Sequence, residues 1–159
     1  MIRAILACDD KWGIGKDNTL PWPHNLADLT WFKKCTVDGV VVMGRMTWES
    51  LPTKPLPRRT NIVVSNTFNN IDGAEVVKSD IYKSRLNVIS QNSDVWIIGG
   101  SYLVNSSLNI IDEIWLSRID GDYNCDVFLP RTAIELTYNL VSSEYNDGVH
   151  VDKWRKDVK

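Results

Sequence analysis

Six short apolar runs, Ile2–Cys8, Val40–Met43, Asn61–Ser65, Ala74–Val77, Val95–Ile98 and Glu113–Ile119, constrain the fold of this chain more than any other feature. They are rich in Val, Ile and Trp and too short for ordinary helices, so each reads as a buried strand. Helix-like stretches, Leu26–Thr36, Thr47–Leu51, Ile81–Ile89 and Tyr102–Leu108, lie between most of them. Such alternation predicts an α/β fold: a mostly parallel sheet with helices on both faces. The tail Val149–Asp157 alternates weakly and reads as a late antiparallel edge strand. The segment Pro52–Pro57, with three prolines, reads as a rigid surface loop.

At 159 residues the chain fits a single domain, 1–159, with no repeat or linker inside it. A net charge of −2 argues against nucleic acid or an anionic membrane as a bulk partner. Any anionic ligand must then meet local clusters of Arg and Lys. Cys8, Cys35 and Cys125 are odd in number and far apart, which excludes a disulfide scaffold or thiolate zinc site and favours a reducing compartment. The run Ile2–Cys8 is too short for a signal-peptide core, and no stretch approaches a membrane span. These features predict a soluble, cytoplasmic protein.

Two motif-like strings fail on inspection. Gly13-Ile14-Gly15 begins like a dinucleotide fingerprint, but the third glycine is missing and Pro21 and Pro23 stand where a helix should run. Gly13–His24 therefore reads as a mobile loop. Gly39–Met46 has the glycine spacing of a phosphate-binding loop, yet its interior is strand-like, Arg45 replaces Lys and the magnesium-binding hydroxyl is absent. A kinase reading drops out.

Three other groupings carry chemistry. Asp28, Trp31, Phe32 and Cys35 fall on one arc of a helix that begins near Asn25. An acid between aromatics is partly desolvated, which raises its pKa; the alternative is that Asn25 and Asp28 form a capping box and the acid only steadies the helix. Gly44-Arg45-Met46-Thr47 follows a strand and opens a short helix, as Gly99-Gly100-Ser101 does after Val95–Ile98. Each is either a tight turn or a place where a ligand phosphate approaches backbone N–H groups. Two such junctions in one parallel sheet favour the ligand, because ligands lie outside the carboxyl ends of the strands. Arg58, Arg59 and Lys54 form a positive cluster, either solvated or receiving an anionic substrate. His24 and His150 are too few for a histidine metal site, and no Ser–His–acid set can be placed.

Strung together, these segments resemble the dihydrofolate reductase family. The matching pieces are Gly13-Ile14-Gly15 with Asn18 and Leu20-Pro21-Trp22, Asp28–Lys33, Met43–Ser50, Leu56–Asn61 and Ile97–Gly100, in the family's order and at its intervals. The resemblance implies a three-layer fold with a central eight-stranded mixed sheet and four flanking helices. It implies a monomer that binds NADPH on one side of a cleft and dihydrofolate, or antifolate inhibitors, on the other.

It also implies roles for individual residues. Asp28 matches the single active-site acid, aided by Trp22 and by Ser117, which matches a hydroxyl that bonds the acid. Ile5, Ala7, Leu29, Phe32, Leu51 and Leu56 match the folate pocket, and Arg59 the clamp on the glutamate carboxylate. Ala7, Ile14 and Ile98 match nicotinamide contacts. Gly13, Gly15, Asn18, Thr19 and Leu20 belong to the loop that closes over the cofactor. Gly44, Arg45, Met46, Thr47, Ser65, Asn66 and Lys78 match contacts to the pyrophosphate and 2′-phosphate. Gly99 and Gly100, joined by a cis bond, and Ser101, Tyr102, Leu103 and Val104 complete the cofactor set.

The chain departs from the pattern at three places. Val104 stands where an aromatic is usual, Pro23-His24-Asn25 lengthens the closing loop, and Asn66 replaces a small polar residue, leaving selectivity for NADPH to Arg45 and Lys78. Two other functions compete: the pyrimidine reductase of riboflavin synthesis, on a similar fold but without Asp28 and the Leu-Pro-x-Arg clamp, and a non-catalytic protein that retains the fold.

Overall fold

The computed structural model of the chain describes every residue except 18, 24, 147, 158 and 159. The elements run β1 (Ile2–Cys8), β2 (Gly13–Gly15), α1 (Leu26–Thr36), β3 (Val40–Gly44), α2 (Arg45–Ser50), β4 (Thr60–Val64), β5 (Glu75–Val77), α3 (Tyr82–Ile89), β6 (Val95–Gly99), α4 (Ser101–Ser106), β7 (Glu113–Arg118), β8 (Val127–Phe128), α5 (Arg131–Thr137), β9 (Tyr138–Asn146) and β10 (Val149–Lys156). Eight strands form one sheet in the order β5-β4-β3-β6-β1-β7-β10-β9. All pairs from β5 to β7 are parallel, and β10 is antiparallel to both neighbours.

The unbroken apolar runs arise because both faces of the sheet are covered. In β3, Val40 and Val42 enter one core cluster while Val41 and Met43 enter the other. Strand β6 divides likewise, Val95 and Ile97 to the first cluster, Trp96 and Ile98 to the second. The second cluster also takes Ile5, Trp31, Phe32, Leu51, Leu56 and Trp115. That face carries the candidate site.

Helix α1 is set by its cap. The Asn25 side chain accepts the backbone N–H of Asp28 at 3.0 Å, and Lys33 and Lys34 sit in the last turn, where cations suit the helix dipole.

Three expectations need correction. The helices number five among the described residues, not four, because Arg131–Thr137 forms α5 after Pro130. The tail strand β10 is not the edge. It lies between β7 and β9, and β9, whose sequence lacks a continuous apolar run, takes the edge. Within the expected loop Gly13–His24, Gly13–Gly15 is a short strand paired with β8, so this segment has a fixed partner. His24 and Asn18 lie outside the described residues.

Candidate active site

The sheet splits where the site forms. Strands β1 and β6 pair only from Ile2↔Val95 to Ala4↔Ile97, whereas β1 stays paired with β7 as far as Cys8↔Arg118. Beyond Ala4 and Ile97 the two central strands part, which opens a cleft between Ile5–Ala7 and Ile98–Gly100. The carboxyl ends of β1, β3, β6 and β7 surround it.

Asp28, on the first turn of α1, reaches the end of β7. Burial pushes its carboxyl above the ordinary carboxylate pKa, and a hydrogen bond from the Ser117 hydroxyl partly offsets the rise. Ser117 is itself buried and pairs with Ala7 across β1 and β7, so acid, hydroxyl and β1 meet at one point. Both readings of Asp28 hold in part. Its backbone N–H completes the Asn25 cap, while its side chain is partly desolvated and takes the Ser117 hydroxyl. Replacing Ser117 with Ala is expected to raise the Asp28 pKa further, read as an upward shift of its carboxyl-carbon titration by NMR. An unmoved or falling value would contradict the Ser117 contact.

Around the acid, Ile5, Phe32, Leu51, Leu56 and Ile98 gather in one apolar cluster with Trp48. Leu29 is exposed, at the rim rather than inside. Arg59 is held before any ligand arrives. Its Nε donates to the Pro57 carbonyl at 2.9 Å, its Nη1 to Thr36 Oγ1 at 3.2 Å, and its guanidinium lies 5.9 Å from the centre of the Phe32 ring. Arg58, by contrast, turns to the exposed Asp38, and Lys54 to the Glu49 carbonyl. Trp22 is buried and packs edge-on against Tyr123, ring centres 6.0 Å apart, so this tryptophan between two prolines does have a core position.

A second space of about 560 Å³ adjoins, lined by Gly44, Arg45, Met46, Thr47, Ser65, Asn66, Gly100, Ser101, Tyr102 and Leu103. These ten expected cofactor residues therefore share one wall system. The Gly99–Gly100 bond is cis, and Gly99 has φ +132°, a conformation that disfavours a side chain. A Cβ on Gly44 or Gly100 would meet no protein atom closer than 4.0 and 3.7 Å, so internal packing does not demand glycine there.

Other expected cofactor residues are placed differently. Lys78 is outside this lining, its ammonium donating to the carbonyls of Asn66 and Phe68 and to Asn69 Oδ1. Val104 is fully enclosed in the first core cluster, behind the wall. Ile14 packs against that same cluster. Thr19 closes a turn onto Lys16, and Leu20 is exposed.

One residue near the site was not singled out by its sequence pattern. Asp9 is fully enclosed, and its carboxylate accepts four hydrogen bonds: Oδ1 from the N–H groups of Lys11 and Gly13, Oδ2 from the N–H of Tyr123 and the Cys125 thiol. It joins the β1–β2 turn to the loop after β7. An acid ending an apolar strand, with small or polar residues following, is the only local sign of it. The space also takes Ser79, Tyr82, Lys83, Ser106 and Val127, none of them in a recognisable motif.

Ser143, His150 and Asp152 do come together, contrary to the expectation that no such set could be placed. Ser143 Oγ lies 2.7 Å from both His150 Nε2 and Asp152 Oδ1. The same ring nitrogen faces serine and acid, so the imidazole cannot relay a proton between them. Among the described residues no cluster of His, Cys, Asp and Glu suits a metal, the cysteines are free, and no helix is long and apolar enough to cross a membrane.

Fold and site define a class: an α/β enzyme that takes its ligands at the carboxyl ends of parallel strands, beside a half-buried acid, Asp28. Residues 1–155 match the family model described as dihydrofolate reductase. The chain is 39% identical over 118 residues to the dihydrofolate reductase of Haemophilus influenzae, covering 74% of this chain and 71% of that one. It is 38% identical over 145 residues to that of Bacillus subtilis, covering 91% and 83%. A solved dihydrofolate reductase from Enterococcus faecalis, complexed with NADP(H) and RAB-propyl, superposes with a TM-score of 0.85 at 26% identity, over 99% of this chain and 97% of that one. The chain belongs to the dihydrofolate reductase family.

Proposed function

We propose that this chain reduces 7,8-dihydrofolate to 5,6,7,8-tetrahydrofolate with NADPH, so supplying one-carbon metabolism and thymidylate synthesis. The observation that carries the reading is the half-buried Asp28, bonded to Ser117 at the split in the sheet and flanked by an apolar wall and a glycine-lined space.

The residues present fit the dinucleotide. Gly44 and Gly100 leave room at the backbone, Arg45 offers a fork to phosphate, and among the described residues no carboxylate lines the space. When bound, NADPH supplies a hydride to C6 of the pterin. The protein sets position and field. Asp28 offers two acceptor oxygens to the two adjacent donors of the pterin, the 2-amino group and a ring N–H, which fixes the ring in one orientation. Its negative charge favours the cation formed when N5 takes a proton from water. Ser117 holds the carboxylate by donating to it, and the role of ordering that water with Asp28 falls to Trp22, which is buried against Tyr123. Ile5, Phe32, Leu51 and Leu56 exclude water from the ring faces, and Arg59 meets the glutamate carboxylate at the mouth. Ile98 and Ala7 border the place where the two ligands meet.

The same reading makes the protein a single-domain cytoplasmic monomer that acts on small molecules and not on nucleic acid. The test is direct. Purified protein should consume NADPH when dihydrofolate is added, and an antifolate should raise its melting temperature. No turnover together with no thermal shift would reject the assignment. Asp28 and the Leu56-Pro57-Arg58-Arg59 clamp stand against a pyrimidine reductase, and no observation favours a purely structural role.

A further inference from the structure

The cofactor space holds a cation outside every recognisable motif. Lys83, in the first turn of α3, lines it beside Tyr82 and Ser106. Tyr82 is buried, and its hydroxyl lies 2.9 Å from those of Ser106 and Ser107, which fastens α3 to α4 and fixes the backbone that carries Lys83. The Lys83 ammonium sits 6.0 Å from the centre of the Tyr82 ring and makes no ion pair among the described residues.

The groups expected to meet the 2′-phosphate are committed elsewhere. Ser65 Oγ accepts the N–H groups of Thr67 and Phe68. Asn66 donates to Ser79 Oγ through its amide nitrogen and accepts the Ser79 N–H through its amide oxygen. Lys78 is spent on three oxygen acceptors outside the lining. Arg45 shares its charge with Glu49 at 3.2 Å. Arg45 and Lys83 are the cations lining the space among the described residues, and because Glu49 already pairs with Arg45, Lys83 is the one whose charge no ion pair there offsets.

We propose that Lys83 is a specificity residue for the cofactor, its ammonium recognising the 2′-phosphate that distinguishes NADPH from NADH. A point charge on a flexible stem suits a phosphate dianion, with the Arg45 fork as the second contact. The proposal rests on the cofactor lying in this space, and the test separates the two ideas. Wild type, Lys83→Met, Lys83→Arg and Arg45→Leu would be titrated by intrinsic fluorescence with NADPH, NADH and adenosine 2′,5′-bisphosphate, which carries the phosphate without the nicotinamide. Lys83→Met should weaken NADPH and the bisphosphate about tenfold, the low end for a charge-assisted hydrogen bond, and leave NADH unchanged. Lys83→Arg should retain most of the preference. Equal losses for NADPH and NADH, or none with either, would overturn the proposal. Loss of bisphosphate binding with Arg45→Leu alone would remove Lys83 from the role. Bisphosphate binding untouched by both substitutions would reject the placement of the cofactor itself.

Discussion

Replacing Asp28 with Asn should lower kcat by about two to three orders of magnitude at neutral pH, the scale of a lost group that assists proton transfer, while raising the melting temperature. The two effects share one cause. Burial, only partly offset by Ser117, holds the Asp28 carboxyl above its ordinary pKa of 3.8. A group whose folded pKa is raised contributes stability below its unfolded pKa and loses it as pH rises through the folded value. At neutral pH the ionised acid therefore weighs against the fold, and a neutral amide of the same shape removes that burden. Calorimetry should find the gain at pH 7 and see it vanish as pH falls towards 3.8, where the native acid is also protonated. The rate deficit should shrink on the same side, because solvent acid then protonates N5 without help. Turnover like that of the wild type at neutral pH would disprove the role of Asp28.

Asp9 should behave in the opposite sense. Burial alone would raise its pKa, but the N–H groups of Tyr123, Gly13 and Lys11 and the Cys125 thiol together hold the carboxyl below its usual value. Its stabilisation is thus complete above the unfolded pKa and lost as pH falls through the folded one. Asp9→Ala strands four donors in an enclosed place. Buried donors left unpaired cost about 1–3 kcal/mol each where water cannot replace the partner. Allowing water to satisfy some of them, a loss of about 3 kcal/mol follows, or about 6–12 °C in a chain of this size. Because Asp9 ties the β1–β2 turn to the loop after β7, amide exchange at Gly13 and Tyr123 should accelerate together. Asp9→Asn, which keeps one acceptor oxygen, should lose less and show a flatter stability profile in acid. A melting point unchanged in Asp9→Ala would mean that the carboxylate does not hold these loops.

What the sequence revealed and what it hid have physical reasons. Strands covered on both faces leave continuous apolar runs, so β1, β3, β4 and β6 are readable within a residue or so. Strand β9 at the edge, with Tyr138 buried and most of the rest exposed, carries no such run, so β10 reads as the rim although it lies one strand inside it. Helix α5 is seven residues long and lacks a side-chain cap, so no start signal marks it. At the site, Asp28, Gly44-Arg45 and Gly99-Gly100 stand out because each sits in a compact local string at a helix start or strand end, and at Gly99 the backbone, φ +132°, also disfavours a side chain. Asp9 and Lys83 owe their roles to distant partners, Tyr123 and Cys125 for one and Ser106 for the other, and only folding brings these together. Lys78 illustrates the reverse. Its position matches the family pattern, yet its ammonium is drawn to nearby carbonyl oxygens.

The most direct measurement is a crystal structure of the chain with folate and NADP⁺ bound together. Both Asp28 oxygens should lie within hydrogen-bonding distance of adjacent pterin nitrogens, with the nicotinamide against the pterin at the gap between β1 and β6. A pterin seated elsewhere, or an Asp28 side chain turned to bulk water with both ligands present, would contradict it.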